Sequence, residues 1–197
     1  MPQNLSVGCL IMAAGNASRF GANKLEATFH GQPLIARTMD CLEESLFSRV
    51  TVVTQYPQIA ALAQKRGFAV VENLHPDWGI SHTIALGTAA MRDCDGILYL
   101  VGDQPLLDRE SVSRVVRVWL DNPDCIVGAC HHAQRGNPNL FPQEFFSELM
   151  ALTGDRGGSR IIRAHEDRFV PVQIGADELT DVDTPQILSN LQKKRKI

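Results

Sequence analysis

The chain has no apolar run approaching the ~18 residues that cross a bilayer, so a membrane-embedded protein is not expected. No charged segment precedes the first apolar run, so a secretory signal is not expected either. Its five cysteines, Cys9, Cys41, Cys94, Cys125 and Cys130, form an odd set without C-x-x-C spacing. That pattern argues against a zinc site and a disulfide framework. It reads as reduced thiols in a cytoplasmic protein, with Cys9 and Cys125 as small hydrophobes inside strand-like runs. An excess of one charge is missing as well: 19 Lys and Arg against 22 Asp and Glu leave a formal net charge of −3. Such a balance gives no general attraction to nucleic acid or to a membrane surface, so a bound anion must be held by a local cluster of donors. The basic run Lys193-Lys194-Arg195-Lys196 is short and reads as a solvated tail. Internal repeats, low-complexity stretches and Pro/Gly-rich linkers are absent, and residues 1–197 read as one domain.

What is present is an alternation of strand and helix signals in a chain that is 44% hydrophobic. Val7 to Met12 is a continuous apolar run, as expected of a strand covered on both faces. Pro33 opens a helical pattern carried by Leu34, Ile35, Met39, Leu42 and Leu46. Arg49–Thr54 is a β-branched strand, Ile59, Leu62 and Ala63 mark a short helix, and Phe68–Val71 is the third strand. Gly79 to Met91 reads as a helix whose start carries Ser81. Ile97–Val101 is a buried strand, Val112, Val115, Val116 and Trp119 mark a helix, and Cys125–Gly128 is again a strand. The alternation then loosens. Asn139–Phe141 reads as a short strand, Gln143–Leu152 as a helix, and Ser159 starts another. Phe169–Val172 is strand-like, and Thr184 to Leu191 closes the chain as a helix. The pattern predicts an α/β, Rossmann-like three-layer domain with a mostly parallel sheet and right-handed crossovers. Ligands of such sheets collect beyond the carboxyl ends of the strands.

Three segments carry chemistry. The loop after the first strand, Ala13-Ala14-Gly15-Asn16-Ala17-Ser18-Arg19-Phe20-Gly21-Ala22-Asn23-Lys24, is neither G-x-G-x-x-G nor a Walker A sequence. Its small residues Ala13, Ala14 and Gly15 let backbone N–H groups approach a ligand closely, and Arg19 and Lys24 supply positive charge, a combination suited to a triphosphate. The bland alternative is a glycine turn with two exposed cations. Asp103 follows an apolar strand and precedes Pro105, a position from which a carboxylate can ligate a hard cation that bridges phosphate oxygens. A turn-capping Asp is the alternative. In Asp181-Val182-Asp183-Thr184-Pro185, Asp183 is a candidate second metal ligand, or Asp183 or Thr184 caps the last helix with Pro185 at its first position. Asp181 and Asp183 share a face if the segment is extended. The histidines show no metal-ligand spacing; His131 and His132 are adjacent, and neighbours on a strand point apart.

These segments, in this order, resemble the molybdenum cofactor nucleotidyltransferases, and most of all their cytidylyltransferase branch, over essentially the whole chain. The resemblance implies the nucleotide-diphospho-sugar transferase type of fold and a Mg²⁺-dependent enzyme. Its reaction would be attack by a phosphate oxygen of molybdopterin on the α-phosphorus of CTP, with release of pyrophosphate. Mg²⁺ would be held by Asp103 and Asp183, and the charge on the leaving pyrophosphate would be met by Arg19 and Lys24. The nucleotide-binding set is then Ala13, Ala14, Gly15, Ser18, Arg19, Lys24, Gly79, Ser81 and Asp103, with a molybdoenzyme or its chaperone as downstream partner. Ala13-Ala14-Gly15 stands where the guanylyl branch reads Ala-Gly-Gly, which favours CTP over GTP. His82 and Asn137 depart from the family pattern, Asn137 replacing a usual His in a Gly-His-Pro segment. Arg156 or Arg160, in or just after the Gly154–Gly158 turn, would contact an anionic pterin, or else both are surface cations. Two other functions fit the same segments: nucleotidyl transfer to another acceptor, by guanylyl transfer or to a sugar or polyol phosphate, and a nucleotide-binding accessory protein without catalysis. The complete set of Lys24, Asp103 and Asp183 argues against the last.

Overall fold

The computed structural model describes residues 5–16, 20–21 and 23–194. In chain order the elements are β1 (Val7–Ala13), β2 (Thr28–Phe29), β3 (Gln32–Pro33), α1 (Leu34–Asp40), β4 (Arg49–Thr54), α2 (Pro57–Lys65), β5 (Ala69–Glu72) and α3 (Ile80–Ala90). They continue with β6 (Gly96–Val101), α4 (Arg109–Asp121), β7 (Ile126–His131), β8 (Gln134–Pro142), α5 (Phe146–Met150), α6 (Ser159–Ala164), β9 (Phe169–Gln173) and α7 (Pro185–Lys194). Seven strands form one sheet in the order β5-β4-β1-β6-β8-β7-β9, while β2 and β3 pair by themselves. Only β8 runs against the others in the large sheet; the remaining pairs are parallel.

The period-2 alternation of each strand divides its side chains between two apolar layers. Cys9, Ile11, Val52, Leu98, Leu100 and Val127 face one layer, closed by Ile35 and Met39 of α1, Ile59 of α2 and Val112, Val115 and Trp119 of α4. Leu10, Val53, Ile97, Tyr99 and Phe141 face the other, closed by Ile84 of α3, Phe146 and Leu149 of α5 and Ile161 and Ile162 of α6. The sheet is therefore covered on both faces, as the continuous apolar strands predicted. A third cluster, formed by Phe29, Leu34, Val182, Leu188 and Leu191, seats α7 against the β2–β3 pair.

Several local expectations need correction. The first helix stops at Asp40; Leu42 lies beyond it, and Leu46 sits in a separate 3₁₀ turn. Cys125 lies just outside β7 and is only half-buried. His131 and His132 do not point apart. They straddle the end of β7, where His132 takes φ 51°, and their rings meet edge to face at 4.3 Å. The short strand at Asn139–Phe141 is part of a nine-residue strand inserted between β6 and β7. Among the described residues no helix is long and apolar enough to cross a membrane.

The register sets the position of the site. Ala13 lies opposite Thr54, and Met12 opposite Val101, so the carboxyl ends of β4, β1 and β6 finish side by side. Further down the same sheet, a Cβ on Gly96 would lie 2.6 and 2.8 Å from two ring carbons of the buried Trp119. Gly96→Ala should therefore destabilise the fold by ~1–3 kcal/mol through overpacking against a rigid ring. Urea unfolding should show a lower midpoint with an unchanged slope; a midpoint equal to that of the parent chain would contradict this packing.

Candidate functional site

The loop after β1 leads into a single 3₁₀ turn, Lys24–Glu26, started by Asn23, whose side-chain oxygen accepts from the Leu25 N–H at 3.2 Å. That cap orients the turn: Leu25 goes inward and Lys24 is left at the rim. Leu25 packs on Gly102, where a Cβ would lie 3.0 Å from Ile35 and 3.2 Å from Leu25. A glycine after β6 thus lets the turn approach closely enough for Lys24 to meet the next residue, Asp103. Lys24 Nζ donates to Asp103 Oδ2 at 2.6 Å and to Asp183 Oδ1 at 3.0 Å. The Lys24 and Asp103 side chains are 19% and 15% exposed, against 49% for Asp183. Partial burial alone would lower the Lys24 pKa, but the adjacent Asp103 and Asp183 carboxylates outweigh it and raise it, so the ammonium stays charged.

Asp183 is brought here by its neighbours. Val182 is fully buried in the cluster under α7, and its N–H donates to the Asp103 carbonyl at 3.0 Å. The flanking carboxylates then engage the site: Asp183 through Lys24, and Asp181 by accepting from Gln104 Nε2 at 3.0 Å. The helix cap falls to Thr184, whose hydroxyl accepts from the Ile187 N–H at 3.3 Å. Among the described residues no group of three or more His, Cys, Asp or Glu gathers as a metal cluster. Two carboxylates sharing one cation are what a hard ion completed by phosphate oxygens and water requires of a protein.

A groove of about 420 Å³ runs past this charge cluster, lined by Ala14, Gly15, Asn16, Lys24, Gly79 and Asp103 among others. A second cavity of about 390 Å³ adjoins it, with Met12, Ile80 and Val101 lining both. Its floor is apolar and aromatic, with Ile84, Tyr99 and Phe141, and its polar groups include Gln104, Asn137, Arg135, Arg163 and Asp181.

Lys24, Asp103 and Asp183 meet, and Ala14, Gly15 and Gly79 line the groove with them. Ala13 is the buried last residue of β1. Ser18 and Arg19 lie outside the described residues. Ser81 is buried and lines neither cavity; its N–H donates to the Gly154 carbonyl at 3.2 Å, and Thr83 faces the groove instead. Gly79 takes φ 85°, and a Cβ there would lie 2.5 Å from the Gly154 backbone, so glycine is required by both conformation and space. Arg156 and Arg160 line a separate surface cleft with Thr153, while Arg135 and Arg163, not singled out from the sequence, line the second cavity. His82 packs edge-on against Trp78 at 4.8 Å, and Trp78 stacks on His75 at 4.2 Å.

Asp181 is reachable by solvent yet sits low between Gln104 and the charge cluster. Desolvation first, and the Asp103 carboxylate second, push its pKa up to about 6. A carboxyl whose folded pKa exceeds its ordinary value near 4 favours the fold while protonated. Stability therefore falls as pH rises from about 4 to about 6, and the loss persists above that range. Asp181→Asn keeps an acceptor for Gln104 and removes the charge. In metal-free buffer it should stabilise the chain above pH 6, by less than ~1 kcal/mol because solvent screens the group, and the gain should vanish near pH 4. A gain that grew on acidification would contradict this environment.

The model of the family described as MobA-like NTP transferase domain matches residues 9–169. The chain is 26% identical to the purine catabolism protein PucB of Bacillus subtilis over 190 residues, covering 90% of this chain and 91% of that protein. It is 34% identical to 3-deoxy-manno-octulosonate cytidylyltransferase of Chlorobium luteolum over 121 residues, 58% of this chain and 45% of that one. The chain spans about a quarter to a half of the length of the curated relatives that it matches over such shorter stretches. Its fold is similar to that of a nucleotidyl transferase from Methanothermobacter thermautotroptrophicus, with a TM-score of 0.81 at 17% identity over 96% of this chain and 97% of that one. On the match across most of its length, the chain belongs to the MobA-like NTP transferase domain family.

Proposed function

We propose that this chain is a nucleotidyltransferase that moves CMP from CTP to the phosphate of molybdopterin and releases pyrophosphate. The observation that carries the reading is the convergence of Asp103 and Asp183 on Lys24 Nζ, at 2.6 and 3.0 Å, beside two adjoining cavities. The groove behind the first loop takes the nucleotide, and the cavity with the aromatic floor takes the flat ring system of the acceptor. An acceptor phosphate oxygen forms a bond to the α-phosphorus as the bond to the bridging β-phosphate oxygen breaks, and pyrophosphate leaves with that electron pair. A phosphate monoester is already ionised near neutral pH, so no strong base is needed; alignment and charge neutralisation are the protein's tasks.

Lys24 and Arg19 counter the charge of the leaving pyrophosphate, and the backbone of Ala14 and Gly15 orients the nucleotide. Asp103 and Asp183 would hold Mg²⁺, an oxygen-seeking ion suited to two carboxylates that already share one positive charge. When bound, that ion polarises phosphate oxygens as a Lewis acid. CTP is favoured by Ala14 and by the cytidylyl transfer named for the Chlorobium relative. That relative also supports a second reading, cytidylyl transfer to a sugar-type acceptor by the same site. A pyrophosphate-release screen of the four NTPs, each with Mg²⁺ and molybdopterin, tests the proposal. Release with CTP that depends on molybdopterin is expected, and none with any NTP would refute it.

Within that assay, Asp103→Asn should fold normally and lose a few orders of magnitude in turnover, ~3–5 kcal/mol in the barrier. Near-parental turnover at saturating Mg²⁺ would remove Asp103 from the reaction. Lys24→Ala should weaken both CTP binding and turnover, with Lys24→Arg restoring them in part because the guanidinium is larger and planar. Unchanged CTP affinity and rate in Lys24→Ala would remove Lys24 from the site. The parent should prefer CTP to GTP, and Ala14→Gly should relax that preference without inverting it, since one methyl group is worth ~1–3 kcal/mol. Competition kinetics decide this, and parental use of GTP at least equal to CTP would refute the cytidylyl assignment.

A further inference from the structure

The loop that forms one wall of the nucleotide groove is held from behind by three consecutive side chains. Thr54, the last residue of β4, donates its hydroxyl to the Ala13 carbonyl at 2.9 Å. Gln55 Nε2 donates to the Ala14 carbonyl at 2.8 Å and to the Asn16 side-chain oxygen at 2.9 Å. The Tyr56 hydroxyl donates to the Gly15 carbonyl at 2.9 Å. The strap fixes its own course as well, because the Tyr56 N–H donates to Thr54 Oγ1 at 3.1 Å before Pro57 opens α2. Three successive side chains thus take three successive carbonyls, and none of the three lines the groove.

In a trans peptide the C=O and N–H point in opposite directions. The only cis peptide among the described residues is Asn137–Pro138. Carbonyls drawn back toward β4 therefore aim the N–H groups of Ala14, Gly15 and Asn16 away from the strap, and all three of these residues line the groove. Ala13 and Ala14 are buried, but packing does not impose this orientation on the outer part of the loop. Gly15 and Asn16 are exposed, and a Cβ on Gly15 would meet nothing within 4 Å. Without the Gln55 and Tyr56 contacts the Ala14–Gly15 and Gly15–Asn16 peptides are free to rotate and present carbonyl oxygens to an anion, which repel it.

We propose that Thr54, Gln55 and Tyr56 are positioning residues that set this peptide orientation and so build a preformed strip of N–H donors for the phosphate oxygens of the nucleotide. The inference rests on the reading of the groove as the nucleotide site. The strap gives that site its order before the ligand arrives, so the ligand need not supply the ordering itself.

The test is calorimetric binding of CTP with Mg²⁺, and of inorganic tripolyphosphate with Mg²⁺, to the full chain and to two variants. Tyr56→Phe removes one hydroxyl and should weaken both ligands about 3- to 10-fold; Gln55→Leu combined with Tyr56→Phe should weaken them about 10- to 100-fold. In turnover the KM for CTP should rise by a similar factor, while the acceptor KM stays level and kcat changes little. A merely structural role would instead lower the thermal midpoint and kcat together and move both KM values. Should the double variant fail to fold, Tyr56→Phe decides alone. Unchanged affinity for CTP and tripolyphosphate in the variants overturns the strap while leaving the groove assignment intact. A parent chain that binds neither ligand overturns the groove assignment and the strap with it.

Discussion

One ammonium group ties the site together. Lys24 lies 79 residues before Asp103 and 159 before Asp183, and its Nζ reaches both carboxylates. Each of the three is placed by a different part of the chain. A capped turn aims Lys24, a glycine after β6 lets that turn come close, and a buried Val182 with a backbone hydrogen bond brings in Asp183. Two carboxylates that reach the same ammonium would repel each other without it. The fold supplies that cation itself, and a metal ion bound in the proposed reaction would answer the same electrostatic demand.

Around this cluster the protein separates two kinds of surface. The groove is lined by small residues, among them Ala14, Gly15 and Gly79. The adjoining cavity is floored by Ile84, Tyr99 and Phe141 and edged by amides and guanidinium groups. Tyr99 is kept rigid and neutral there: its hydroxyl shares a hydrogen bond with Thr88 at 2.8 Å, and burial pushes its pKa above the ordinary value. In the proposed reaction these two adjoining surfaces would take the two substrates, with Lys24 and Asp103 lining the first, so that alignment can serve group transfer.

The parallel half of the sheet was legible in the sequence because its signals are local. Val7–Met12, Arg49–Thr54 and Ile97–Val101 are apolar enough to be buried wherever they lie, and Asp103 follows its strand directly. That the Ala13–Lys24 loop and Asp103 share one end of the sheet was legible too, because each follows an apolar strand; the ion pair between Lys24 and Asp103 was not. What escaped the sequence depends on partners distant in the chain. Strand β8 contains Gly136, Asn137, Pro138 and Asn139, poor strand formers, and is held extended by β6 on one side and β7 on the other. Ser81 and Thr83 are both buried and differ in helical phase, which decides that Thr83 rather than Ser81 lines the groove. Thr54, Gln55 and Tyr56 look like an ordinary strand end until β1 is placed beside β4. Arg135 and Arg163 replace Arg156 and Arg160 at the second cavity for the same reason, since the placement of a surface cation follows the path of the chain.

In the proposed reaction the bond broken is the one from the α-phosphorus of CTP to the oxygen bridging it to the β-phosphate. The most direct test is a pair of labelled-nucleotide reactions with Mg²⁺ and molybdopterin, one with the label on the α-phosphate and one on the γ-phosphate. α-Label is expected in the acceptor product and γ-label in the released pyrophosphate. Transfer of γ-label to the acceptor, or its release as orthophosphate, would contradict the proposed reaction.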